Sequence, residues 1–209
     1  MRNDTARKGI TEVEKTAYHE AGHAVIGIML GLDIGLVSLK PTAVYVGMTH
    51  AKALSIEKFT LRQMVTALAG PCAQGRRVRN YCLAFLDGGS RDWGYVQECG
   101  KYLRCTPQIM ADMERGTRRF VGRAWPVVDA FAKRLLALTN VSAEEATAIV
   151  KKAKGSSVLS SDMHRWVAKQ EGRLPIPSGL AGSLLGDRYR TMTDSEVCEF
   201  RQKLETLDE

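Results

Sequence analysis

Thr11-Glu12-Val13-Glu14-Lys15-Thr16-Ala17-Tyr18-His19-Glu20-Ala21-Gly22-His23-Ala24-Val25-Ile26-Gly27-Ile28-Met29-Leu30-Gly31 is the stretch on which the fold turns. Thr11 followed three residues later by Glu14 has the form of a capping box, with the threonine oxygen accepting the Glu14 amide and the carboxylate reaching back. Behind it Val13, Ala17, Ala21, Ala24, Val25 and Ile28 recur at three- and four-residue intervals, and Gly31 is a natural stop. The spacing predicts a helix over residues 12–30. His19 and His23 are four apart, so on that helix both imidazoles stack on one face and can reach a single metal ion.

Glu20, between them in sequence, points to the metal side without ligating and is placed to take a proton from water. Zinc (Zn2+) suits this pattern, with three protein ligands and an open fourth position. A surface helix that happens to carry two histidines is the plainer alternative; the apolar periodicity and the small Ala and Gly neighbours favour the metal. The third ligand is open at this point. Ile26 and Met29 occupy the positions where a metzincin extension needs glycine and histidine. No acidic residue occurs between Asp33 and Glu57, which leaves no glutamate for a thermolysin-like arrangement. Asp33, His50, Glu57, Asp87, Asp92 and Glu98 remain.

Outward from this helix, two Val-rich extended runs follow, Ile34 to Lys40 and Ala43 to Thr49, separated by Pro41. Thr60-Leu61-Arg62-Gln63 opens a second helix with Met64, Val65, Leu68 and Cys72 on one side and a kink expected at Pro71. After Asp87-Gly88-Gly89, Ser90 is expected to cap a helix carrying Asp92, Trp93, Val96, Gly100 and Leu103. Thr106-Pro107 pairs a cap with a first-turn proline and opens a long helix towards Leu138. Ser142 to Glu145 is another capping box, and its helix ends near Gly155. Residues 156–209 change character and end in a short amphipathic pattern of Val197, Phe200, Leu204 and Leu207. The expected fold is mainly α, with a small β-sheet against the metal-binding helix; residues 1–154 form the domain and 155–209 a C-terminal extension.

Composition bounds the function. The 209 residues are 44% hydrophobic and 25% charged, as in ordinary globular domains. The longest uncharged apolar run, Ala24 to Leu32, is nine residues, far short of the ~20 needed to cross a bilayer, so no membrane span is expected. Met1 to Thr5 lacks the apolar stretch of a signal peptide. Five cysteines, odd in number and without a C-x-x-C pair, point away from disulfides or a thiolate zinc site and towards the cytoplasm. Thirty Lys+Arg against 23 Asp+Glu give +7. Arg115, Arg118, Arg119 and Arg123 share one helix side, and Arg76, Arg77 and Arg79 form a second cluster. No interleaved aromatics accompany them in sequence, so solvated faces are expected and nucleic acid is not. Gly94 to Gly100-Lys101-Tyr102 resembles a P-loop only superficially: five residues intervene where four are needed, and Tyr102 replaces Ser or Thr.

The segment Thr16 to Ala24 resembles the peptidase domain of FtsH, the ATP-dependent zinc metalloprotease. Val37-Ser38-Leu39-Lys40-Pro41 with Val46-Gly47-Met48-Thr49 is similar to the strand pair that follows the family's metal helix. Leu68-Ala69-Gly70-Pro71-Cys72-Ala73 stands where the family has Leu-Gly-Gly-Arg-Ala-Ala, and Gly89-Ser90-Arg91-Asp92-Trp93 looks like its Gly-Ala-x-x-Asp-Leu segment. The aspartate of that segment is the family's third zinc ligand, so the resemblance implies His19, His23 and Asp92 as ligands and Glu20 as general base. It spans about residues 10–154 and covers the peptidase domain alone. Gln74-Gly75 replaces the family's paired glutamates.

The implied function is a zinc-dependent endopeptidase acting on peptides or unfolded protein segments, without an ATPase of its own. A separate ATPase or unfoldase is then a fitting partner, and a homo-oligomer is compatible with the reading. Substrate would lie along the strand near Ala43 to Thr49 by main-chain pairing. A catalytically idle, peptidase-derived binding module is the rival, against which the intact Glu20 argues. His50, just after that strand, could stabilise a tetrahedral intermediate, and His164, beside Trp166, could ligate a metal, but an ordinary loop residue and an ordinary tail residue are the plainer readings; Trp93, Trp125 and the cysteines are expected in the core.

Overall fold

The computed structural model describes residues 10–40, 48–51 (backbone), 60–86 and 89–174. The first helix, α1 (Glu12–Met29), starts where Thr11 Oγ1 accepts the Glu14 amide at 3.2 Å. The expected capping box is only half made, because the Glu14 carboxylate turns instead to Arg77 of α2 (Leu61–Val78). There the box is complete: Thr60 Oγ1 accepts the Gln63 amide, and Gln63 Oε1 accepts the Thr60 amide at 2.7 Å. The helix continues through Pro71, which is buried.

Helices α1 and α2 run antiparallel, with Glu14 beside Arg77, His19 beside Gln74, Gly22 against Ala69 and Gly27 near Thr66. Small residues permit this approach: a Cβ on Gly22 would lie 2.4 Å from the Ala69 carbonyl oxygen. Around this pair pack α3 (Tyr81–Leu86), α4 (Ser90–Tyr102), α5 (Pro107–Arg123), α6 (Trp125–Leu138), α7 (Ala143–Lys152) and α8 (Ser156–Glu171). A small antiparallel sheet of order β2-β1-β3 is built from β1 (Ile34–Ser38), β2 (Met48–Ala51) and β3 (Asn140–Val141), and β1 packs against α1. Val37 sits opposite both Thr49 and Val141. The molecule is therefore mainly α-helical with a small sheet against the histidine-bearing helix.

Several local expectations are corrected. The long helix from Pro107 towards Leu138 is two helices, broken at Ala124, because Pro126 has no amide to donate to the turn before it and fits instead in the first turn of a new helix. Ser90 is the first residue of α4 and does not cap it; the N-cap is Gly89, with no side-chain bond to the helix. Ser142 accepts the Glu145 amide, but the Glu145 carboxylate pairs with Arg134. The short α3 and β3 had no sequence forecast. The second extended run is seen only as β2; residues 43–47 and the pattern from Val197 to Leu207 lie outside the described residues.

The stretch read as an extension opens with α8, whose Leu159, Met163 and Val167 are buried in the same core as α1 and α2. Cys72 and Cys99 are buried, whereas Cys82 is exposed, contrary to expectation. Trp93 and Trp125 pack at the edge of the core and are only partly buried. Among the described residues, no helix is long and apolar enough to cross a membrane.

Candidate metal centre

Three side chains converge between α1, α2 and α4: His19, His23 and Asp92. The i, i+4 spacing on α1 puts the imidazoles side by side, with ring centroids 4.7 Å apart and the rings nearly perpendicular. Their Nε2 atoms lie 3.0 Å apart. Asp92 Oδ2 is 3.0 Å from His19 Nε2 and 3.5 Å from His23 Nε2.

Helix α2 makes the room and sets the orientation. A Cβ on Gly70 would lie 2.3 Å from His23 Nε2, so this position admits nothing larger than glycine while the ring stays in place. One residue on, the Pro71 ring packs where a Cβ on Gly89 would lie, 2.5 Å from its Cγ. That contact seats the start of α4 against α2 and explains why the N-cap of α4 is a glycine. Asp92 follows in the first turn, near the positive end of the helix, where a carboxylate is favoured.

The hydrogen bonds on the far side of each ring fix its chemistry. His23 Nδ1–H donates to the Thr66 carbonyl at 2.8 Å; a carbonyl only accepts, so the proton sits on Nδ1. His19 Nδ1–H donates to Gln74 Oε1 at 2.9 Å. In its neutral form each imidazole thus presents an Nε2 lone pair, facing the other ring and a carboxylate oxygen. Three lone pairs this close repel unless a cation sits among them, either a proton or a metal ion.

In the proton-only state the electrostatics carry that signature. Burial on its own would push His23 down, but the Asp92 charge, its hydrogen bond, Glu20 and the Thr66 bond outweigh it and raise the imidazole to about 9. Burial likewise opposes the Asp92 charge, yet His23 and His19 hold its carboxyl well below the usual range. For a metal, bonds of ~2.0–2.1 Å in a tetrahedron put donors ~3.4 Å apart, close to the observed separations. Two imidazoles with anchored outer nitrogens and one carboxylate therefore fit zinc.

Glu20 is buried beside His19 on the same helix. Of the other candidate ligands, Asp33 and Glu98 are outside the converging group, and Glu98 pairs with Lys101. The side chains of His50, Glu57 and Asp87 lie outside the described residues. His164 belongs to no group of metal-binding geometry among the described residues. Sequence reasoning missed Gln74, which stood out only as a missing acid, along with the Thr66 carbonyl and Gly70. A glutamine one turn from a glycine on a small-residue helix was the available signal. No family model matches the chain, and no curated protein matches it.

Proposed function

We propose that the protein is a zinc-dependent endopeptidase of FtsH-like type, acting on peptides or unfolded segments. The observation that carries the reading is the convergence of three lone-pair donors, two of them imidazoles whose orientation is fixed from behind by Thr66 and Gln74. His19, His23 and Asp92 would hold the ion. When bound, zinc supplies Lewis acidity, polarising a scissile carbonyl and easing ionisation of water. Glu20 holds the proton taken from the attacking water on its carboxylate and returns it to the departing amine. Thr66 and Gln74 keep the imidazoles in the one tautomer that leaves Nε2 free. Strand β2 lies at an edge of the sheet, and its outer main-chain groups suit pairing with an extended substrate of little sequence preference. Folded substrates would call for a separate unfoldase.

Glu20→Gln tests this reading directly, since it keeps shape and removes the base. The variant should retain about one zinc per chain while cleavage of unfolded casein falls at least ~100-fold. Wild-type protein that binds zinc but cleaves neither casein nor a peptide library would favour the idle binding module instead. Full activity without zinc would refute both.

A further inference from the structure

A second site lies at the C-terminal end of α2, where a cavity of about 530 Å3 is lined by Arg76, Arg77, Arg79, Tyr81 and Trp125. Sequence order separates these arginines from Trp125, but the fold brings them together. Trp125 is held between two partners: the Tyr18 ring stacks on it at 5.5 Å, and the Arg76 guanidinium lies over it at 4.9 Å. Arg118 lies over Tyr81 at 4.5 Å. The aromatic faces are thus occupied by guanidinium groups and position them; they offer no free platform for a base.

The charges are unequal in their commitments. Arg77 is spent on Glu14, and Arg118 on Glu114. Among the described residues no carboxylate lines the cavity and none pairs with Arg76 or Arg79. Arg79 also occupies the C-cap of α2 with φ 58°, the left-handed conformation that glycine takes freely and a side-chain-bearing residue takes at a cost. Fold stability alone would favour glycine there, yet the position carries a guanidinium that lines the cavity and has no acidic partner among the described residues.

We propose that this cavity binds a phosphomonoester dianion, gripped by the forked donors of Arg76 and Arg79. Planar guanidinium forks match phosphate oxygens two at a time, and a doubly charged group answers two guanidinium groups that have no carboxylate partner among the described residues better than a single carboxylate does. The volume leaves room for the group that carries the phosphate, either a small metabolite or a phosphorylated side chain. Nothing in this proposal depends on zinc.

The test is a titration of the full chain with inorganic phosphate at pH 7.5 and 150 mM salt, followed by 31P NMR. A phosphoserine peptide and a sugar phosphate serve as parallel arms, and the tighter of the two names the source. Saturable binding is expected, weakened at least ~10-fold in Arg76→Gln and Arg79→Gly, and unchanged in Arg119→Gln, which lies outside the cavity. Arg79→Gly should at the same time raise Tm by about 2–4 °C, because the left-handed position no longer carries a side chain. A lower Tm would show Arg79 to be structural and overturn the proposal. Non-saturable binding would do the same, as would an oligonucleotide of phosphodiesters alone binding as tightly as the monoesters.

Discussion

On the zinc reading, His23 would hold a proton in the metal-free protein and a metal ion in the loaded one, and pH would separate the two. Its folded value of about 9 exceeds the ordinary 6.5. In metal-free protein its stabilisation is therefore fully present below about 6.5 and is lost as pH rises through 9, at up to about 1.4 kcal/mol per pH unit. Zinc must displace that proton, so its affinity should climb up to about tenfold per unit over the same window. Stability in urea melts across pH 6.5–9 should then fall with pH in chelator and stay nearly level in saturating zinc, where the two dependences cancel; parallel slopes would mean His23 is neutral in both states. Gln74 gives a second handle. Gln74→Leu strands the Nδ1–H of His19 and should weaken zinc by about 10- to 100-fold, read by competition with a chromogenic chelator. Unchanged affinity would show that Gln74 does not orient the ring. The histidine pair was legible because i, i+4 spacing is local, and Glu20 came with it. Asp92 was picked out only by resemblance, since 69 residues separate it from His23 and no periodicity links them. Gln74 was missed because its contact with His19 is defined wholly by what α1 places opposite it.

At the scale of elements, α1 against α2 is the interface on which the site depends. Glycine inside a helix ordinarily costs about 0.5–1 kcal/mol relative to alanine, so Gly→Ala should stabilise. At Gly22 the sign reverses, because the new methyl would meet the Ala69 carbonyl oxygen at 2.4 Å and force the helices apart. Gly22→Ala should cost about 1–3 kcal/mol by denaturant unfolding. At Gly70 the clash is with the His23 ring, so Gly70→Ala should reduce zinc binding more than stability. If both variants are as stable as wild type and bind zinc normally, the close approach is not needed. These helices were readable from caps and periodicity. The break between α5 and α6 was not, because Phe120, Val121, Val127, Val128 and Phe131 keep an apolar rhythm across it; Pro126 was the signal that rhythm obscured. The half-made boxes at Thr11 and Ser142 have a common cause. Glu14 and Glu145 each meet an arginine from another helix, and a tertiary partner displaced the local one.

Across the whole molecule, the candidate centre joins α4 to the α1–α2 pair through one carboxylate in the first turn of α4. Chelation should lower Tm and raise hydrogen exchange first in α4, before α1 or α2. Uniform exchange along all three helices would indicate global loosening instead. Even the mostly helical class was visible in the sequence, whereas the docking of α8 was not, since nothing local distinguishes a helix that packs on the core from one that trails away. The first turn of α4 has one more consequence. Its glycine start carries no side-chain bond, and Pro71 leaves no space to add one. The turn holding Asp92 is thus kept at its start by packing alone, and an ion held there would depart no faster than that turn opens. Release into excess chelator should consequently reach a plateau rate that additional chelator cannot raise, so that the clock for metal loss is a motion of the chain.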